Sequence, residues 1–383
     1  MEFEGDIMIY LDYAASTPVD KDVLNVFNEV SIKYFANPNS IHKYGIEAKN
    51  IIDKSSEKIA KIFNIDSDEI IYTSGATESN NLVIKGICNR YKNYGKHIIL
   101  SSLEHNSLIA SASVMQENGF DIDLIPIRKD GLVDIDELKK MIREDTILVS
   151  VCSVDSEIGL VQPIEEIGEL LKNYPHTYFH TDASQAIGKV KIDYSNVDLI
   201  TIAPHKFYGL PGTGILIKKK NVSLKPIING GKSTTVFRAG TPETAHIASI
   251  SKALELAYLN FDNRNNYVKK LSEKVINRLK EYDIVHVNNT DKSIYHTINF
   301  SVKGVKSIKV ASMLENKGIL VSTKTSCCPV ETPSKLVYAL TKDKSLASTS
   351  IRVSLSHLTT ESEIDEFLRV FDECIGEINN GEV

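Results

Sequence analysis

Asp182, His205 and Lys206 each stand where an apolar, β-rich run gives way to polar residues: Thr177 to His180 leads into Thr181-Asp182, and Asp198 to Ala203 leads into Pro204-His205-Lys206. Buried parallel strands end this way, delivering chemistry to the carboxyl edge of a sheet. Taken singly, a lysine after a hydrophobic strand is more often a solvated cap. An aspartate and a lysine presented together, however, suit pyridoxal 5'-phosphate, whose aldehyde takes an amine and whose ring nitrogen takes an anionic partner.

Other segments add compatible chemistry. Thr73-Ser74-Gly75-Ala76-Thr77-Glu78 follows a strand signal and opens a helix, and the free amides and dipole of a helix N-terminus favour an anion such as phosphate. Glu104-His105 also follows a strand; a histidine there is usually structural, but imidazole changes charge near neutral pH and suits proton transfer. Arg352 lies in the strand-like run Ser350 to Leu355, where a buried guanidinium calls for a carboxylate ligand. Cys327 and Cys328 sit among polar residues, with Pro329 and Pro333 opposing regular structure and Lys324 able to favour a thiolate. Ile228 to Thr234 imitates a phosphate loop, but Pro226 occupies its first glycine position and Thr234 to Phe237 starts a helix poorly.

The segments H-T-D-A-S-Q, A-P-H-K-F-Y-G-L-P-G-T-G, F-R-A-G-T-P, S-G-A-T-E-S-N-N and S-I-R-V-S resemble those of the pyridoxal-phosphate-dependent cysteine desulfurases of NifS/IscS type, within the class V aminotransferase superfamily. Matching segments run from Tyr10 to Asp365. The resemblance implies a fold-type I enzyme that converts L-cysteine to L-alanine and passes sulfur as a persulfide on Cys327 to an acceptor protein. It implies Lys206 as the Schiff-base lysine, Asp182 on the ring nitrogen, Gln185 on the ring hydroxyl, His105 stacked on the ring, and Ala76, Thr77 and His205 at the phosphate. Thr241 would reach the phosphate from a neighbouring subunit, which implies a homodimer. Asn37, in the loop Asn37 to His42, and Arg352 would hold the substrate carboxylate.

The chain departs from the pattern in several places. Asp155 occupies an asparagine position near the cofactor hydroxyl, Ala203 a phosphate-binding serine, and Lys324, Ser326 and Cys328 stand in the cysteine loop where glycine, alanine and threonine or serine are usual. A selenocysteine lyase, another class V lyase or aminotransferase, and a non-catalytic sulfur-transfer scaffold are the competing readings. Iron–sulfur cluster assembly, tRNA thiolation and DNA phosphorothioation are all outlets for such sulfur.

These residues need a large α/β frame. From Glu69 to Tyr174 strand and helix signals alternate, which predicts a mostly parallel sheet flanked by helices. After Gly240 a long helical stretch, Ala245 to Tyr282 with a kink at Asn260 to Asn265, leads into a smaller α/β unit. The expected division is an N-terminal segment over 1–20 packing with the small domain, a large cofactor-binding domain over 21–255 and a small domain over 256–383. The run Ile9 to Pro18 reads only as a short strand entering a turn. A net charge of −6 argues against direct nucleic-acid or anionic-membrane binding. Lys218-Lys219-Lys220 reads as a solvated turn after a strand. The five cysteines form no CxxC pair, so free thiols and no structural metal are expected, and the acidic start lacks signal-peptide character, so a cytoplasmic location is expected.

Overall fold

Strands rich in Ile, Leu and Val build the centre of the molecule. In the computed structural model, which describes residues 2–3, 6–231, 233–323 and 332–381, seven of them form one sheet. Its order is Ile70–Thr73, Gly214–Lys218, Leu199–Ile202, Tyr178–Asp182, Thr146–Ser150, His97–Ser101 and Asp121–Ile125. Gly214–Lys218 runs antiparallel to both neighbours, and the remaining ladders are parallel. The chain is therefore α/β with a mostly parallel mixed sheet, as the alternation of signals predicts.

Both faces of this sheet are buried, which explains why its strands read as continuous apolar runs. One face packs around Ile99, Val149, Phe179, Ile200 and Ile215, and the other around Ile98, Leu100, Leu148, Leu199 and Leu216. Gly214 is needed for strand pairing at one edge: a Cβ there would lie 2.5 Å from Thr73 Oγ1 and 2.6 Å from Gly75 Cα.

A second core gathers Ile9, Leu11, Val268, Leu271, Val275, Phe300, Ile351, Val353, Phe367 and Phe371. It covers a three-stranded antiparallel sheet, Val285–Val287, Thr297–Val302 and Ser350–Ser354. The N-terminal strand Ile9–Tyr10 pairs in parallel with Ile319–Leu320. The long helical stretch is two helices, Thr244–Leu259 and Phe261–Leu279, broken at Asn260.

One local expectation needs correction, and another holds. Lys218 is buried rather than solvated; its ammonium donates to Val222 O at 2.8 Å and lies 4.8 Å from the centre of the Phe237 ring. Only Lys220 at the end of that run is exposed, paired with Asp66. Residues 233–243, after the phosphate-loop look-alike, contain no helix, and its Lys232 lies outside the described residues. No described helix is long and apolar enough to cross a membrane.

Candidate functional site

Parallel strands that share a direction bring their carboxyl ends to one edge, so loops far apart in sequence meet there. The loops after Ile70–Thr73, His97–Ser101, Thr146–Ser150, Tyr178–Asp182 and Leu199–Ile202 enclose a cavity of about 480 Å³. Its walls include Ala76, Thr77, His105, Asp182, Gln185, His205, Lys206 and Arg352, so eight of the residues singled out in the sequence converge.

Asp182 ends its strand with both carboxylate oxygens fixed. Oδ2 accepts from Asn80 Nδ2 at 2.9 Å, and Oδ1 accepts from the Ser184 amide at 2.9 Å. Below it, His180 bridges the neighbouring strands through Ser150 Oγ at 2.8 Å and Thr201 Oγ1 at 3.0 Å. Burial pushes the His180 imidazole down to about 4, so it stays neutral and stiffens the strands that carry Asp182 and Lys206.

Lys206 ends a short 3₁₀ turn, Pro204–Lys206, and its ammonium donates to Ala14 O at 2.8 Å and Ala15 O at 2.7 Å. Gln185 donates to the same Ala14 carbonyl at 2.9 Å and accepts from Lys189 at 2.9 Å. Burial, with Lys206 and Arg352 nearby, holds the Lys189 amine down to about 7. His205 is pushed down to about 4 by burial and by the Lys206 and Lys189 cations.

The helix Ala76–Tyr91 points its N-terminus into the cavity. Gly75, at φ 153°, holds a backbone form that disfavours side chains, and a Cβ built there would meet nothing within 4 Å. Open space beside free amides is a cradle for an anion. Glu78 closes the outer side of the turn, accepting from Ser74 N at 2.8 Å and from Arg238 Nε at 3.0 Å. Burial alone would raise its carboxyl, but the Arg238 and Ser74 bonds hold it below the ordinary range.

His105 caps the helix Asn106–Glu117, with Nδ1 2.8 Å from Ser107 Oγ, and presents its ring to the open cavity. Removal from bulk water lowers its pKa, the Lys206 cation acts in the same direction, and Asp182 opposes them. Glu104 beside it is buried, accepting through Oε1 from Ser101 Oγ at 2.8 Å and Cys152 N at 2.7 Å, while Oε2 has no partner among the described residues. Burial raises this carboxyl to about 8, with Asp182 adding repulsion.

Arg352 is 1% exposed and also lines the cavity. Its Nη2 donates to Asp12 Oδ1 at 2.7 Å and its Nη1 to Ser156 O at 2.8 Å.

Three residues expected at the site lie outside this cavity. Asp155 is a correction: its carboxylate turns back into its own loop, where Oδ1 accepts from the amides of Glu157 at 2.7 Å and Ile158 at 2.9 Å, and Oδ2 from that of Leu160 at 2.6 Å. Three converging amides need an acceptor-only group, which an asparagine is not. Its neighbour Ser156 lines the cavity instead. Asn37 is exposed, and its carboxamide accepts from Asn39 N at 2.9 Å, closing its own turn. Thr241 is exposed and is not part of the wall. Cys327, Cys328 and Lys324 lie outside the described residues.

The sequence reading passed over Asp12, Asn80, Cys152, Ser156 and Ser184, all of which line the cavity or hold a residue that does. The available signal was the need of a strand-borne arginine for an acidic partner, which pointed to some carboxylate but not to which one.

This set fits pyridoxal phosphate by its chemistry: an anion cradle, an aspartate held by two donors and a lysine line one cavity large enough to admit a ring. Among the described residues no group of His, Cys, Asp and Glu is placed to hold a metal ion.

The sequence profile described as Aminotransferase class-V matches residues 9–367. The chain is 38% identical over 372 residues to a protein named cysteine desulfurase IscS from Dictyoglomus turgidum, covering 96% of this chain and 94% of that one. It is 35% identical over 376 residues to the cysteine desulfurase IscS of Methanosarcina thermophila, covering 97% and 93%. Among solved structures, one titled NifS-like protein superposes with a TM-score of 0.90 at 30% identity, covering 96% of this chain and 99% of the other. Another, titled SspA in complex with cysteine, gives 0.80 at 31% identity, covering 92% and 99%.

Proposed function

The chain belongs to the class-V aminotransferase family, and from that premise we propose how its residues carry out the reaction of a pyridoxal-phosphate-dependent cysteine desulfurase, L-cysteine to L-alanine. The convergence of Lys206, Asp182, His105 and Arg352 on one cavity with the N-terminus of Ala76–Tyr91 supports this reading most directly.

Pyridoxal phosphate, when bound, supplies an electron sink for charge developing at the substrate Cα. Ala76, Thr77 and His205 hold its phosphate, and because Ala203 has no hydroxyl the helix amides carry more of that contact. Asp182 keeps a proton on the ring nitrogen through a charge-assisted bond, which Asn80 and Ser184 orient. Gln185 faces the ring hydroxyl with its remaining N–H. Lys206 would hold the cofactor by its exocyclic aldehyde carbon, and its amine would move the proton at the substrate Cα. His105, its pKa held down by burial, is neutral at pH 7 and available to accept and return a proton at the substrate.

Arg352 anchors the substrate carboxylate. The Cys327 thiolate attacks the substrate sulfur: a new S–S bond forms as the Cβ–S bond breaks. The protein keeps a persulfide, and the carbon skeleton leaves as alanine after taking up protons. A sulfur-acceptor protein then receives that sulfur, with an iron–sulfur scaffold or a thiolation enzyme as the fitting class. Thr241 completes the phosphate site from a second copy, which makes the working unit a homodimer; a cytoplasmic location suits the free buried thiols Cys88, Cys152 and Cys374. The chain divides into the N-terminal segment 1–20, a large unit over 21–255 and a small one over 256–383, a reading supported by the separate cores on the large sheet and around Phe300 and Phe371.

Mass spectrometry after exposure to L-cysteine tests the assignment. One sulfur is expected on the peptide carrying Cys327, with alanine in solution. Full sulfur release by Cys327→Ala would overturn the thiol's role, and sulfur found only at Cys328 would move it.

A further inference from the structure

The anchor Arg352 is itself anchored. Its guanidinium is inside the protein; among the described residues Nη1 donates to the Ser156 carbonyl and Nη2 to the Asp12 carboxylate, and the buried Nε has no partner. A guanidinium carries five N–H donors in a fixed fork, so donors remain for an incoming carboxylate. Asp12 touches Arg352 but is not part of the cavity wall, so it stands behind the arginine as seen from a ligand.

The backbone around Asp12 is pinned on both sides. Leu11 N donates to Leu320 O at 2.9 Å, Ser354 N donates to Leu11 O at 2.7 Å, and Ala14 N donates to Ser354 Oγ at 2.9 Å. Tyr10 Oη closes the turn by donating to Asp12 O and Ser16 O, each at 3.0 Å. The same segment presents Ala14 O and Ala15 O to Lys206. Asp12 is thus a carboxylate at a fixed point, 340 residues from the arginine it holds.

We propose that Asp12 is a positioning residue for substrate recognition: it fixes the plane of the Arg352 fork so that the N–H donors left open on the cavity side meet the α-carboxylate of the amino-acid substrate, and it balances the buried charge while the site is empty. The inference rests on Arg352 being the carboxylate anchor. Two tethers, on Nη1 and Nη2, define the plane of a rigid group; with Ser156 O alone the fork swings about one point and its alignment with a two-oxygen ligand is lost.

The test measures KM and kcat for L-cysteine, and the Kd for L-alanine by spectroscopic titration, in holoenzyme carrying Asp12→Ala, Asp12→Asn or Arg352→Ala. Asp12→Ala is expected to raise KM and Kd about tenfold, with kcat changed less than about threefold, as loss of one charge-assisted bond implies. Asp12→Asn retains an acceptor for Nη2 and is expected to restore most of the affinity. Should Asp12→Ala fail to fold, Asp12→Glu keeps the charge balanced while displacing the fork by one methylene, and is expected to raise KM as well. If Arg352→Ala leaves KM and Kd unchanged, the anchor reading itself is wrong. If Arg352→Ala weakens binding while Asp12→Ala and Asp12→Glu do not, or if Asp12→Ala lowers kcat with KM unmoved, only the positioning role is overturned.

Discussion

Asp182 ends and Asp155 follows one of two neighbouring parallel strands, Tyr178–Asp182 and Thr146–Ser150, and both are buried. One serves the cavity and the other serves its own loop. Asp182 ends its strand, held from the side by Asn80 and the Ser184 amide, so its carboxylate remains at the sheet edge. Asp155 lies five residues beyond its strand, where the chain curls through Gly159 at φ 77° and points three amides inward at the carboxylate. The sheet thus decides which loops meet, and each loop's own hydrogen bonds decide which side chains face the meeting point.

The largest expected effect tests the cavity side of that contrast. Asp182→Asn cannot balance a protonated ring nitrogen, and kcat is expected to fall by about 10²–10³-fold with the fold retained. Steady-state kinetics beside circular dichroism checks this; near-normal kcat would place Asp182 with Asp155 among structural carboxylates.

Glu104, on a third loop, sharpens the comparison because it touches the loop of Cys152 and feels the charge of Asp182. Its carboxyl is raised to about 8 in the folded protein from an ordinary value of 4.5. The folded state therefore keeps a proton that the unfolded state gives up. Its contribution to stability is complete below about pH 4.5 and is lost as pH rises through about 8. Glu104→Gln removes this titration, so the wild-type unfolding free energy, from denaturation curves, should fall relative to the variant between pH 5 and 9, by about 1–3 kcal/mol in all. Parallel pH profiles would refute it.

The smallest effect belongs to Asp155→Asn, which restores the residue expected from the resemblance. An amide presents a donor where Leu160 N also donates, and the loss expected is about 1–2 kcal/mol of stability, with KM changed little. Chemical denaturation measures the first and kinetics the second; a large change in cofactor affinity would return Asp155 to the cavity.

Much of the frame was legible in the sequence because both faces of the central sheet are covered, which leaves unbroken apolar runs ended by polar residues. Lys206, Asp182 and His105 were readable because each stands within four residues of such a run. Lys218 was misread because a charged run resembles a solvated turn, while its ammonium sits over the Phe237 ring and finds backbone carbonyls.

By itself the sequence determined the strand and helix succession, the family, and the residue types able to hold a phosphate, a ring nitrogen and a carboxylate. Tertiary structure alone decided that Asp12 and the Ala14 and Ala15 carbonyls reach Arg352 and Lys206, and that Ser156 rather than Asp155 faces inward. The reason is physical: local periodicity records burial along one element, whereas a hydrogen bond spanning hundreds of residues exists only once two cores have packed and brought their edges together.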